Sequence, residues 1–308
     1  MITNLTIVAY HYVREIKNSK YPKIKGLEFS IFKNQLDFLE RKFNIISAEQ
    51  LVAYLIGEEK VIPVNPCLLT FDDGYKDHIT FVHSELSKRK ISGCFFPVAS
   101  SIIDKVVLDV HAIQFILACT KDIKNLIKDI ISKCDEYKIN KRIIENVWKS
   151  TKKGIYDKKE IVFIKKILQQ TIPIKNRPII IKSLFEKYVD EPLDDFSKQL
   201  YMSSNELVSL IQDKMYIGNH TYNHYWLNTL NIKDQNIEIE KSLKFLKSIK
   251  APIKNWIMCF PYGAYNNNTL KILKKKKCLI GLTTKSGESD LKNDNLLKLN
   301  RFDTNHFL

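Results

Sequence analysis

Long apolar runs are missing from this 308-residue chain. No stretch approaches the roughly 20 apolar residues that cross a bilayer as a helix, which excludes a helical membrane span. Closely spaced cysteines are missing too. The six, Cys67, Cys94, Cys119, Cys134, Cys259 and Cys278, form no near pair. A cysteine-rich zinc site needs tighter spacing, so buried free thiols in a reducing compartment are expected. The N-terminal segment shows no basic leader with a long apolar core and a small-residue cleavage site, so the expected location is the cytoplasm. Internal repeats and low-complexity linkers are also lacking. Acidic side chains are scarce, 34 against 49 basic, for a formal charge of +15. The excess is nearly all lysine, scattered apart from the run Lys274 to Lys277. No recognition motif accompanies it, so no specific nucleic-acid partner is expected. The same field suits an anionic, nucleotide-linked or lipid-linked sugar, or peripheral contact with the inner membrane face. Plain solvation explains most of it.

What is present is an ordinary globular composition, 44% hydrophobic and 27% charged. It allows one large core, or one core with an insertion. Strand-like runs alternate with amphipathic helices. Strands are expected at Leu5 to Val13, Cys67 to Phe71, Gly93 to Val98, Met215 to Gly218, Trp256 to Phe260, Leu279 to Thr283 and Leu297 to Phe302. Between them, Phe32, Leu36, Leu39 and Phe43 make a helical stripe. Ser47 with Gln50, and Ser203 with Glu206, read as capping boxes. A helix is expected near Asp77 to Lys90, another from about Asp234, and another near Asn267 to Lys276. Such alternation implies parallel strands covered by helices, as a barrel or an open sheet. Residues 103–199 differ. They carry helical faces, such as Val110, Ile113, Ile116 and Leu117, or Ile161, Ile164 and Leu168, and few strands. They read as a helical insertion serving as a lid or an oligomer surface.

Three segments carry candidate chemistry, each just beyond the C-terminal end of an expected strand. Parallel α/β proteins place function there. In Thr70-Phe71-Asp72-Asp73-Gly74-Tyr75, adjacent acids repel and need a cation or a shared proton. One can bind a metal while its neighbour takes a proton. The alternative is a solvated turn, since Asp-Gly marks turns. In Gly218-Asn219-His220-Thr221-Tyr222-Asn223-His224, two of only 7 histidines stand four apart. Two His and one Asp suit a borderline divalent ion with positions left for water and substrate. The alternative is a pair of loop or core histidines. Asn219 could orient the first. In Phe260-Pro261-Tyr262-Gly263-Ala264, a rigid loop can aim backbone N–H groups at a developing oxyanion, or simply make a turn.

These segments resemble the NodB-type polysaccharide deacetylases, carbohydrate esterase family four, over roughly residues 5–100 and 203–303. The opening Tyr10-His11-Tyr12-Val13-Arg14 resembles a branch found in surface-polysaccharide biosynthesis. The resemblance implies an α/β fold, an irregular (β/α) barrel of seven strands, as a single deacetylase domain over 1–308 with 103–199 inserted. It implies one divalent ion, zinc before cobalt, nickel or manganese, on Asp73, His220 and His224. Asp72 is then the base, and the Tyr262 N–H helps hold the oxyanion. The expected activity is hydrolysis of the N-acetyl group of an amino sugar in a surface glycan or its precursor. An O-deacetylase, another amide hydrolase, or a disabled glycan-binding protein are the alternatives.

Two departures stand out. Many members carry an arginine against the catalytic acid where this chain has Cys259, and the late Leu-x-His motif with the general acid is not evident. His11 is the foremost substitute acid, and His306 a second in poorer register. Arg301 and Asp303 are expected to support the site or meet substrate. Tyr75 offers a ring face for sugar, and Asp109 and His111 could reach substrate from the insertion.

Overall fold

The computed structural model describes residues 4–154 and 157–307. The chain divides into two compact units: residues 1–15, 26–106 and 198–308, and residues 16–25 and 107–197.

The first unit is built on seven strand positions: β1 Asn4–Tyr10, β2 Pro66–Asp73, β3 Cys94–Pro97, β4 Tyr216–Ile217, β5 Trp256–Cys259, β6 Cys278–Leu282 and β7 Phe302–Asp303. Parallel ladders join β7 to β1, β1 to β2, β2 to β3 and β3 to β4. A separate parallel pair joins β5 to β6. The regular ladders therefore leave an open sheet. Two isolated parallel bridges, Asn219↔Met258 and Leu282↔Leu299, carry the pairing from β4 to β5 and from β6 toward β7. The result is a barrel-like ring of parallel strands. Two short strands decorate it, Asn44–Ile45 beside β2 and Ser289–Asp290 antiparallel to β1.

Period-two alternation explains the packing. Leu5 and Ile7, Leu68, Cys94 and Phe96, Tyr216, Ile257 and Cys259, Ile280 and Leu282, and Leu299 form one buried cluster to which the strand ring contributes. Trp256, Met258 and Phe260 point the other way, onto Ile272 and Leu273 of the helix Asn267–Lys275. The ring is thus filled by side chains and covered outside by helices.

Local signals place those helices. Both expected capping boxes form: Ser47 with Gln50 starts Ala48–Leu55, and Ser203 with Glu206 starts Ser204–Gln212. Asn266 with Thr269 makes a third. The long helix starts at Ile232, two residues before the expected Asp234, because Asn231 caps it. The helix after β2 opens as a π-helical segment, His78–His83, before Ser84–Arg89. The first strand ends at Tyr10, not Val13. Val13–Arg14 leaves the ring and pairs with Leu27–Glu28 instead.

The second unit is helical, and its described residues form no strand. It holds Asp109–Cys119, Ile123–Glu136, Lys141–Ser150, Lys159–Lys166 and Arg177–Val189. Ile113, Ile116, Ile164 and Leu168 are buried as their stripes require, with Leu126, Ile130, Leu184 and Phe185. The unit starts at Val107 and takes in residues 16–25, which no periodicity had assigned to it.

Candidate active site

The C-terminal ends of β2, β4 and β5 bring the three motif segments together. Asp72 and Asp73 close β2, and both are buried. Asp73 has φ 75° and Gly74 φ 73°. The left-handed turn swings the second carboxylate away from the first, so the two acids serve different partners. A Cβ at Gly74 would lie 2.8 Å from the Pro97 Cβ, which together with its φ restricts the position to glycine.

Asp73 meets both motif histidines. Its Oδ1 lies 3.3 Å from His220 Nε2 and 3.3 Å from His224 Nε2. The three ligand atoms all lie within 4.8 Å of one another. Donor atoms on a tetrahedral ion with bonds of roughly 2.0–2.1 Å stand about 3.3 Å apart. The residues present therefore fit a divalent ion in spacing and donor type. His220 Nδ1 donates to the Cys259 carbonyl at 2.8 Å, which leaves Nε2 with its lone pair toward the cluster. That carbonyl, rather than Asn219, orients the ring. Asn219 shapes the turn instead: its Oδ1 accepts from the Thr221 N–H, and Thr221 Oγ1 accepts from the His224 N–H. Thr221 and His224 both sit in the left-handed region, at φ 62° and 58°. Glu238, from the following helix, grips Asn223 through its backbone N–H and its Nδ2 at 2.8 and 2.6 Å.

Asp72 faces a different partner. Arg301, buried just before β7, donates Nη1 to Oδ1 at 2.9 Å and Nη2 to Oδ2 at 2.8 Å. Arg301 Nε is tied to the Thr283 carbonyl at 2.9 Å. Burial works against the charge of Asp72, but Arg301, helped by His11 and His220, outweighs it and lowers the carboxyl to about 2. Cys259 lies close enough to group with Asp72 and His220. Burial pushes its thiol up, so it stays protonated and is a poor ligand.

His11 follows β1 with its side chain half exposed and Nε2 3.9 Å from Asp72 Oδ2. Its backbone is held from below: the buried His78 Nε2 is 2.9 Å from the His11 carbonyl. Three residues on, Arg14 forks onto Asp77 at 2.7 and 2.8 Å. Tyr262 occupies a 3-10 turn, Pro261–Gly263, at φ 57°. Its ring stacks on Trp226 at 4.2 Å and 5° and meets His224 edge-on at 4.6 Å.

Several expected roles need correction. Tyr75 shows no ring face to a sugar. It is buried, stacked on Tyr12 at 4.0 Å, and its hydroxyl donates to Asp73 Oδ2 at 2.9 Å. Arg301 takes the supporting role expected of it, holding Asp72. Asp303 is exposed and caps the next turn, accepting from the Asn305 N–H. His306 is exposed and stacks on Phe302, outside the cluster. Asp109 and His111 lie, as expected, in the helical unit. There burial lifts the Asp109 carboxyl to about 6 against the opposing pull of Arg177, 3.8 Å away. The sequence reading missed Glu238, Trp226 and His78. Only Trp226, two residues past the second histidine, offered a local signal.

Residues 182–279 match the polysaccharide deacetylase family model. That segment contains both histidines and the Tyr262 loop; Asp72 and Asp73 precede it. No curated protein matches the chain. Solved structures match along nearly its whole length. The Streptococcus pyogenes deacetylase PplD in complex with acetate is 16% identical at TM-score 0.58, covering 98% of this chain and 93% of that one. IcaB from Ammonifex degensii is 16% identical at TM-score 0.56, covering 97% and 90%. The BpsB deacetylase domain from Bordetella bronchiseptica is 15% identical at TM-score 0.56, covering 97% and 95%. The chain resembles these deacetylases and has their (β/α)-barrel-like fold.

Proposed function

We propose that this chain is a metal-dependent carbohydrate deacetylase that removes the N-acetyl group of an amino sugar. The observation that carries the reading is the Asp73, His220 and His224 cluster, spaced 3.3 Å across each carboxylate–imidazole contact, beside a second acid held as an anion. Asp73, His220 and His224 would hold the ion, with zinc the best match to one oxygen and two nitrogen donors. When bound, such an ion polarises the acetamide carbonyl and lowers the pKa of water.

The chain supplies the rest. Asp72 takes a proton from the attacking water. A carboxylate lowered to about 2 is too weak a base for ordinary water, so its use here presupposes water made more acidic. The Tyr262 N–H donates to the oxygen that becomes negative. His11 gives a proton to the departing amine, since an amide anion is a very poor leaving group. Arg301 keeps Asp72 charged and fixed, the role that Cys259 cannot fill. Acetate release from N-acetylated sugars tests the proposal directly. Activity lost to a chelator and restored by zinc supports it; chelator-resistant release, or none from any amino sugar, contradicts it.

A further inference from the structure

The end of the ring opposite the acid site carries lysine where helices usually end in glycine. Chain direction fixes that end, because the parallel strands all begin there. Lys90, Lys214, Lys250 and Lys277 lead into β3, β4, β5 and β6, and all four are exposed. Each sits in the left-handed region, at φ 59°, 61°, 63° and 58°. At these turns the chain folds back on its helix: the N–H groups of Ile91, Met215 and Ala251 donate to the carbonyls of Leu86, Leu210 and Leu246. Glycine is the usual residue at such a cap, because a Cβ is strained there. This chain uses it after the helix Ala48–Leu55, with Gly57 at φ 80°.

The helices do not need these charges. A cation near a helix C-terminus complements the dipole, but the last turns already hold Lys88 and Arg89, Lys247, and Lys274 and Lys275. The same end also exposes apolar side chains. Ile62 is buried in the core and anchors the loop before β2, which leaves Val61 and Val64 outside, 78% and 77% exposed. Ile253, in the loop before β5, is 42% exposed. Acids offset only part of the charge. Glu58 and Glu59 share their loop with Lys60, and Asp213 faces His83 at 3.0 Å. Glu288 and Asp290 lie beside β1 instead.

We propose that this end of the ring docks on a bilayer surface rich in anionic headgroups. The lysines meet the headgroup phosphates, and Val61 and Val64 enter the boundary with the acyl chains. Nucleic acid would use the lysines but gives the exposed valines no place; a bilayer uses both. The left-handed turns hold lysine rather than glycine because the surface needs charge at their tips. The Asp73, His220 and His224 cluster then lies at the end turned away from the bilayer. None of this rests on the deacetylase reading.

Cosedimentation at low salt with phosphatidylcholine vesicles, and with equimolar phosphatidylcholine–phosphatidylglycerol vesicles, tests this. The chain should bind the anionic vesicles and not the neutral ones. A lysine near such a surface is worth roughly fivefold in partitioning. Lys90→Gly/Lys214→Gly/Lys250→Gly/Lys277→Gly should therefore lower binding by on the order of 10²–10³. It should melt no lower than the wild type, since glycine suits the left-handed turns. Val61→Ser/Val64→Ser should weaken binding about tenfold and keep its salt dependence. Equal binding to both vesicles, no binding to either, or undiminished binding by the glycine variant overturns the proposal. So does a random DNA duplex bound more tightly than the anionic vesicles and equally well by the valine variant. Acetate release from a soluble sugar should be unchanged in both variants; its absence from the wild type would count against the deacetylase reading alone.

Discussion

Arg301 clasps Asp72 with two hydrogen bonds across 229 residues of sequence, and both side chains are buried. Breaking one partner of a buried pair leaves a charge stranded and costs roughly 3–5 kcal/mol. Arg301→Gln should therefore lower stability by an amount on that order and remove the cause that keeps Asp72 anionic. Burial then raises the carboxyl, so activity should be weak at neutral pH and recover as pH rises. Arg301→Lys keeps the charge but loses the fork and should recover part of the activity. Matched pH–rate profiles check this; an unchanged acidic limb in Arg301→Gln contradicts it.

The same pair sets a stability window. The folded Asp72 is lowered to about 2, below the usual carboxylate value. Its contribution is fully present above the unfolded pKa of about 4 and is lost as pH falls toward 2. Denaturant titrations between pH 2 and 5 should show stability falling over that range, and less steeply in Asp72→Asn. Within a working range near neutrality Asp72 stays ionised, so an acidic limb there must belong to another group.

Asp72→Asn should lower turnover by on the order of 10²–10⁴ while the ion stays bound, because it is Asp73 whose Oδ1 lies 3.3 Å from both imidazole Nε2 atoms, while Asp72 is clasped by Arg301. Metal content and acetate release measured on one sample separate the two acids. Loss of the ion would mean their roles are exchanged.

His11 is assigned to the leaving group, so its importance should depend on that group. His11→Ala should cripple release from an N-acetyl sugar yet spare an aryl acetate, whose phenolate departs unaided. His78→Gln retains a donor for the His11 carbonyl and should be milder than His78→Leu on the amide only. Equal losses on amide and aryl ester would remove His11 from the acid role.

Gly74→Ala should destabilise the fold by about 1–3 kcal/mol, since φ is 73° and Pro97 blocks the new methyl group. Thermal unfolding checks this. A neutral result would show that the turn relaxes.

Much of this was legible in the chain. Most strand positions, two capping boxes and the three motif segments are local features, carried by period and by rare residue types, although the first strand stops three residues early, at Tyr10. The histidines four apart and the Asp-Asp-Gly turn could be read as one cluster because each followed a strand. Arg301 was expected to support the site from the final strand, but its partner was not legible. Its contact depends on ring pairing that sets β7 against β1, which no local pattern encodes. Tyr75 was misread because the left-handed Asp73 re-aims the chain, so counting residues from the strand puts the ring on the wrong side. His78 lies in a π-helical segment, where the 3.6-residue period fails to tell which face is buried.

The central claim is one divalent ion shared by Asp73, His220 and His224. Zinc stoichiometry and affinity, measured by equilibrium dialysis on the wild type and on His220→Ala/His224→Ala, test it most directly. The expected result is one ion per wild-type chain and none at equal free zinc in the double variant. Undiminished binding with both imidazoles removed would contradict it.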